Sequence, residues 1–514
     1  MKTELEGVRA YWRQDLMASI VVFLVALPLC MGIAIASGVP PAAGLITGII
    51  GGLIVGFLAG APMQVSGPAA GLSVIVWELV NEHGLGTLGV IIAIAGLAQI
   101  GAGILRLGQW FRAVSPAVIH GMLAGIGVLI LASQFHVMVD DRPQGSGLTN
   151  LLYIPAAILK GFVPADGSPH FHAAMIGVLT LVVMVAWRWA PRRLRVLPAP
   201  LIAVVVATVV AALMGLELKR VAVPDNLLDA VTFVGSSGWP PFNWTLVAEG
   251  LALAFVASAE TLLCATAVDK MHDGPRTNYN RELMAQGVGN LACGVLGALP
   301  MTGVIVRSSA NIDAGAKTRA SAVWHGVWLL LFVVALPFVL QTIPVAALAA
   351  ILVFTGYKLV NVAAIRKLAT YGKGELVIYF VTLATIVAVD LLSGVILGIA
   401  LSLGKLLYRF THLDIDVQPR SPDGVIDVHV RGSATVVRLP MLAARLEALP
   451  PGSEVHVHLE ELDYIDHACL ELLANWEKQH AIVGGKLFVD WQGLEARFRT
   501  TNVAKPRATQ VSAL

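Results

Sequence analysis

The chain is short of charge. Only 13% of its 514 residues are Asp, Glu, Lys or Arg, about half the share found in soluble globular domains. Between Leu16 and Trp77 there is none at all. No soluble core needs such a run, whereas two membrane-crossing helices of about 20 residues and part of a third do. The formal charge of +2 leaves no basic surplus for a nucleic acid. Cysteine is scarce as well: Cys30, Cys264, Cys293 and Cys469 stand far apart, without metal-site spacing. No Gly-rich phosphate loop is present, which argues against an ATP-driven machine; neither an enzyme nor a cofactor is expected. MKTELEGVRAYWRQD at the start lacks the short apolar core and cleavage site of a removed leader, so the first apolar stretch is expected to remain as a span.

What is present is apolar. Hydrophobic residues make up 57% of the chain and the mean hydropathy is +0.77, which predicts a polytopic α-helical membrane protein. Up to about Arg409 the sequence divides into about fourteen segments, near 16–37, 41–60, 67–82, 87–105, 113–136, 173–190, 198–215, 244–268, 282–299, 303–312, 319–341, 344–358, 375–389 and 391–408. Cations gather at every second loop: Arg106 and Arg112; Arg188, Arg192, Arg193 and Arg195; Lys270, Arg276 and Arg281; Lys317 and Arg319; Lys358, Arg366, Lys367 and Lys373; Lys405 and Arg409. Positive charge marks the cytoplasmic side. The alternation therefore predicts an even number of spans with both termini cytoplasmic, in the cell's inner (plasma) membrane.

From His412 the texture changes. GVIDVHVRGSATV alternates apolar and polar residues, and SEVHVHLEELDYIDHACLELLANWEKQHAIVGGKLFVDW runs strand, helix, strand. The expected organisation is a cytoplasmic N-terminus at 1–15, a transmembrane domain at 16–409, a small soluble α/β domain at 412–500 and a tail at 501–514.

Two short stretches break the apolar pattern in the same way. PMQVSGPAAGLS (62–73) and PMTGVIVRSSAN (300–311) each place Pro before a hydroxyl–Gly pair, Ser66-Gly67 and Thr302-Gly303, and then open a short apolar helix. They fall in the third and tenth segments, the third members of two seven-span halves. An odd number of spans per half inverts the second half, and interrupted segments at matching places point to a midplane binding site. Two half-helices entering from opposite faces present free N–H groups and positive dipole ends to one spot, which suits an anion. Arg307 lies within the second stretch, and an Arg at that depth either faces water or a partner or snorkels to the interface. Glu260 lies within the eighth segment, as an ion-coupling or proton-relay group or as the partner of Arg307. Cys264 follows one turn later on the same helical face, where simple packing also accounts for it.

These residues resemble the SulP (sulfate permease) family of anion transporters over nearly the whole chain. The likeness rests on LPLCMGIAIASGVPPAAGL (27–45), QVSGPAAGLSV (64–74), AETLLCATAVD (259–269), NYNRELMAQGVGN (278–290) and LPMTGVIVRSSANIDAG (299–315), followed by a part that looks like a STAS domain. It implies a seven-plus-seven inverted repeat shared with uracil permeases, with core and gate domains, elevator-like motion and a homodimer. Transferred residue by residue, the family's anion pocket falls on Cys30, on Ser66, Gly67, Pro68 and Ala69, and on Gly303, Val304, Ile305 and Arg307, with Glu260 and Cys264 as the ion-coupling pair. Many relatives carry Gln at the position of Cys30 and serines at those of Val304 and Val306. Backbone N–H groups and Arg307 are then the expected ligands. Where sodium-coupled bicarbonate members carry Asp and Thr, this chain has Glu260 and Cys264, and sulfur is a poor ligand for sodium. Secondary active transport of a sulfate- or bicarbonate-class anion is expected, by proton symport or exchange. Sodium-coupled bicarbonate symport, channel-like conductance and a membrane-anchored signalling role are the alternatives. In the STAS-like part, Asp466-His467 stands where related bacterial regulators have a phosphorylated Ser after Asp. Asp466 is there expected to cap a helix, and a cytoplasmic protein is a candidate partner of the domain.

Overall fold

The computed structural model describes residues 2–109, 115–144, 146–163, 168–191, 194, 197–224, 226–234, 243–418 and 425–489, with backbone alone at 2–9 and 228. Arg112, Arg192, Arg193, Arg195, residues 490–500 of the predicted soluble domain and the 501–514 tail lie outside the described residues. Contacts divide the chain into two units, Met1–Ile399 and Ala400–Leu514.

Every predicted apolar segment coincides with helix, and all but the end of the last lie in the first unit. In chain order these are α1 (Lys2–Ala36), α2 (Pro41–Ile50) running through a π turn into α3 (Gly56–Leu58), then β1 (Ser66–Pro68), a 3-10 turn (Ala70–Leu72) and α4 (Ser73–His83). There follow α5 (Leu85–Ile104), α6 (Pro116–Met138), α7 (Gly147–Leu152), α8 (Ile154–Phe162), α9 (Pro169–Ala186), α10 (Ala199–Leu213), α11 (Trp244–Val268) and α12 (Tyr279–Val295). β2 (Met301–Gly303) precedes α13 (Ile305–Asp313), α14 (Ala320–Ala335), α15 (Pro337–Gln341), α16 (Val345–Leu359), α17 (Val362–Thr370), α18 (Lys373–Ala388) and α19 (Leu391–Thr411). Eight described spans are long and apolar enough to cross a bilayer, and Ala199–Leu213 and Ala320–Ala335 are shorter apolar helices. The protein is a multi-pass membrane protein. Additions to the predicted segments are α7 and α8, inside the long 137–172 loop, and α17.

One expectation needs correction. The 67–82 and 303–312 segments do not start as helix. The 67–82 segment opens within strand β1 and the 303–312 segment on the last residue of strand β2, each helix following within a few residues; β1 pairs antiparallel with β2, with Ser66 opposite Gly303, Gly67 opposite Thr302 and Pro68 opposite Met301. Backbone N–H and C=O groups buried in lipid must find partners; in each broken segment the strand finds them in its counterpart. Antiparallel pairing of corresponding strands is also what two inverted halves require.

Helix starts in this unit fall into two kinds. Ser115, Ser168, Asn243 and Asn278 each accept a hydrogen bond from a first-turn N–H of α6, α9, α11 and α12, satisfying a donor that the helix cannot. The turn opening α4 and α13 begin after Ala69 and Val304, neither of which supplies a side-chain cap.

The second unit holds β3 (Leu413–Val417), β4 (Val425–Ala434), α20 (Leu439–Glu447), β5 (Glu454–His458), β6 (Leu462–Ile465), α21 (His467–Ile482) and β7 (Lys486–Val489). The sheet order is β3-β4-β5-β7, with β6 also paired to β4. β3 runs antiparallel to β4, while β5 and β6 run parallel to it. Alternate residues Val428, Val430, Val455 and Val457 face a core shared with Leu442, Leu446, Leu473 and Trp476. The intervening positions carry Asp427, His429, His456 and His458. The His458 ring nitrogen lies 2.8 Å from Asp427, and this hydrogen bond holds the Asp427 carboxyl below its usual range. Asp466 caps α21, accepting from the Cys469 N–H at 2.9 Å.

Candidate functional site

The β1–β2 pair lies at the centre of the broken segments, and side chains from two long helices and one half-helix fix it. Thr261 of α11 accepts from the Gly303 N–H at 3.1 Å. Asn290 of α12 accepts from the Met301 N–H at 2.7 Å and donates to the Met301 carbonyl at 3.1 Å. Ser308 of α13 accepts from the Val65 N–H at 3.0 Å, and Val304 N–H donates to the Val65 carbonyl at 2.9 Å. The turn entering β1 is held by Glu282 of α12. One carboxylate oxygen accepts from Gly60 and Ala61 N–H at 2.8 and 2.9 Å, and the other from the Gln64 and Gln286 amides, both at 2.9 Å. A fully buried carboxylate is tolerated when its lone pairs are filled in this way.

Arg307 is the largest fully buried side chain in the described chain, at 0% exposure. It does not snorkel. Its Nη2 approaches Cys30 Sγ of α1 at 3.4 Å, and its Nε and Nη1 have no hydrogen-bond partner. The guanidinium packs so closely over Gly67 that a Cβ there would collide with Nη1, so glycine is required by approach rather than by backbone angle. His325 of α14 is likewise fully buried, with Nδ1 bonded to the Ala322 carbonyl at 3.1 Å and Nε2 unpartnered. A buried cation without a carboxylate costs several kcal/mol, and Arg307 makes no ion pair with Glu260 among the described residues.

The predicted site residues thus separate into groups. Cys30, Gly67 and Arg307 meet at one point, with Pro68 and Gly303 in the adjoining strands and Ala69 buried beside them. Ser66 turns its hydroxyl to the Gln286 amide at 2.6 Å, behind the strand. Val304 is half-buried, and Ile305 is 39% exposed, so it contributes backbone rather than a packed side chain. Glu260 and Cys264 point to different neighbours: the Glu260 carboxylate lies against Gly71, and Cys264 Sγ lies 3.9 Å from Ser308 Oγ. Thr261, Glu282, Gln286, Asn290, Ser308 and His325 were not singled out in the sequence, although Glu282 and Gln286 share the one-turn spacing of a helical pair. A cluster with metal-ligand spacing, Glu82, His83 and Glu249, joins the far end of α4 to the start of α11, away from the strands.

The Sulfate permease family model matches residues 12–382. The chain belongs to the sulfate permease family. YvdB of Bacillus subtilis, a protein assigned to sulfate transport, is 29% identical over 406 residues, covering 76% of this chain and 73% of its own. The transmembrane domain of a cyanobacterial bicarbonate transporter, BicA, aligns with a TM-score of 0.65 at 23% identity, over 75% of this chain and 97% of that one. Murine Solute Carrier 26 family member A9, an anion transporter solved in the inward-facing state, aligns with a TM-score of 0.71 at 15% identity, over 94% of this chain and 86% of its own. Sulfate permeases are transporters, not enzymes. The fold likeness assigns the first unit to the family's inverted-repeat transmembrane architecture.

Proposed function

We propose that this sulfate permease is a secondary active transporter of a small inorganic anion of the sulfate or bicarbonate class, held between the starts of the α4 and α13 half-helices. The observation that carries this reading is Arg307: a fully buried guanidinium with two unpartnered nitrogens, packed on the crossing strands. Uncapped helix starts add N–H donors and positive dipole ends at the same place. The names of YvdB and BicA agree with such a substrate. Cys30, Gly67, Pro68, Ala69, Gly303, Val304, Ile305 and Arg307 form the pocket, with Ser66 supporting it from behind.

Transport is coupled to protons through Glu260, or runs as exchange. Sodium symport is disfavoured because Cys264, one turn from Glu260, offers sulfur and lies against the Ser308 hydroxyl. The membrane unit works by elevator-like movement of a core against a gate. An apolar crevice lined by Val118, Met122, Phe255, Ala259, Leu263 and Val395 lies between α6, α11 and α19, where such a sliding contact belongs. The protein sits in the plasma membrane as a homodimer with both termini cytoplasmic, and the C-terminal unit is a STAS domain offering a surface to a cytoplasmic partner.

The test is equilibrium binding of sulfate, bicarbonate and chloride to the purified protein, compared with Arg307→Ala. Affinity for the substrate anion should fall by more than about tenfold, the order expected for a buried charge-assisted contact. Unaltered affinity would remove Arg307 from the site.

A further inference from the structure

We infer that His325 is a specificity-determining residue of the anion site: its unpartnered ring nitrogen accepts a hydrogen bond from an anion that carries its own O–H, so the site favours a hydrogen-bearing oxyanion over one without. This rests on the anion-site reading above and deepens it.

α13 and α14 are consecutive helices joined through residues 314–319, and the Ser321 hydroxyl of α14 donates to the Asn311 amide oxygen of α13. Arg307 lies one turn before Asn311, and His325 lies one turn after Ser321. A second tie lies a turn further on. Leu329 Cδ1 and Cys30 Sγ both press on Gly48, 3.0 and 2.7 Å from where a Cβ would stand, and Cys30 is the residue that Arg307 meets. Ser321, His325 and Leu329 follow one another at four-residue spacing and share one face of α14. His325 is therefore bracketed by two neighbours whose partners, Asn311 and Cys30, themselves flank Arg307. The Arg307 charge also reaches its ring.

The hydrogen bonds of the ring fix what it offers. Nδ1 lies 3.1 Å from the Ala322 carbonyl, which can only accept, so Nδ1 carries a proton. A second positive charge beside a guanidinium that has no carboxylate is repelled, so the ring is neutral and Nε2 presents a lone pair. His325 is fully buried, and Nε2 has no partner among the described residues. Arg307 offers the opposite: N–H groups at Nε and Nη1, equally buried and equally without partners. Free donors and a free acceptor on neighbouring side chains are complementary to one group that both accepts and donates. Hydrogencarbonate is such a group, since its charged oxygens accept from the guanidinium while its O–H donates to Nε2. Sulfate, nitrate and chloride carry only lone pairs, which leave a buried Nε2 unsatisfied.

Nitrate isolates the hydrogen, being planar, singly charged and three-oxygen like hydrogencarbonate but without an O–H.

The experiment is equilibrium titration of the full-length purified protein with hydrogencarbonate and with nitrate, at one mildly alkaline pH and one ionic strength. Wild type, His325→Phe, His325→Gln and Arg307→Ala are compared. Wild type should bind hydrogencarbonate more than about tenfold tighter than nitrate, because a site built to accept from an O–H rejects the analogue that lacks it. His325→Phe keeps a flat ring and removes the acceptor, so the two anions should bind it within about threefold of each other. His325→Gln returns an oxygen acceptor and should keep a preference for hydrogencarbonate. A histidine that only packs would move both affinities together. Equal binding of the two anions by wild type overturns the inference, as does a preference that survives intact in His325→Phe. Loss of the preference in His325→Gln overturns it too, by assigning it to the shape of the ring. If the thermal transition shows that His325→Phe does not fold, His325→Leu is judged by the same criterion. Wild type that binds neither anion, or Arg307→Ala that binds hydrogencarbonate as wild type does, overturns the site itself; a site that depends on Arg307 but shows no preference overturns the role of His325 alone.

Discussion

Arg307 and Glu282 are two buried charges handled in opposite ways. Glu282 accepts four hydrogen bonds and holds the turn before β1; Arg307 keeps two nitrogens unpartnered beside the strands. The first is a structural solution; the second is the arrangement on which the proposed anion site rests. Glu282→Ala should accordingly cost about 3 kcal/mol or more, because two backbone N–H groups and two amides lose their acceptor in a buried place. A lowered thermal transition of the purified protein would show it, and an unchanged transition would mean that water replaces the carboxylate. Arg307 and Glu260 were legible in the sequence because charge is rare within apolar segments. Thr261, Asn290 and Ser308 were not, since hydroxyls and amides are ordinary in membrane helices and their partners lie on strands formed by distant parts of the chain. That Glu260 and Arg307 do not pair was equally hidden, since sequence spacing says nothing of which way two side chains turn in a folded core.

The half-helices are the elements that matter most. Their interruption could be read from Pro and Gly at matching places in the two halves, but the strands could not: three residues are too few for alternation, and β1 exists only because β2 lies against it. The apolar Val304 at the start of α13 leaves the first N–H groups without a side-chain acceptor. Val304→Asp would supply one and place a negative charge where the anion is expected. Anion affinity should fall by more than about tenfold while the thermal transition is kept; retained affinity would separate α13 from the site. The start of α21 is the opposite case. Asp466 caps it and lies against Cys469, and burial together with that carboxylate pushes the Cys469 thiol up to about 12. With a pKa raised in this way, the reactive thiolate forms only as pH approaches that value. Alkylation of Cys469 by iodoacetamide at pH 8 should be more than about a hundredfold slower in the native protein than in denaturant, as read by peptide mass spectrometry. Equal rates would mean that the start of α21 is open. This cap was visible in the sequence, because Asp before an apolar helical pattern is a local signal needing no distant partner.

At the scale of the whole molecule, the span pattern was readable because lipid imposes it. Run length and the alternation of cationic loops place the helices, whereas α7, α8 and α17, six to nine residues long, are too short to register as spans. The C-terminal α/β unit was readable from its period-two strands. Substrate and coupling are different: facing helix starts and one guanidinium suit sulfate, bicarbonate and other small anions alike. The most direct measurement is uptake of labelled sulfate and of labelled bicarbonate into liposomes containing the purified protein, under an inward proton gradient, an inward sodium gradient, or neither. On the proton-coupled reading, one of these anions accumulates under the proton gradient alone, and Glu260→Gln abolishes that accumulation. Accumulation driven by sodium, or proton-driven accumulation that persists in Glu260→Gln, would contradict it.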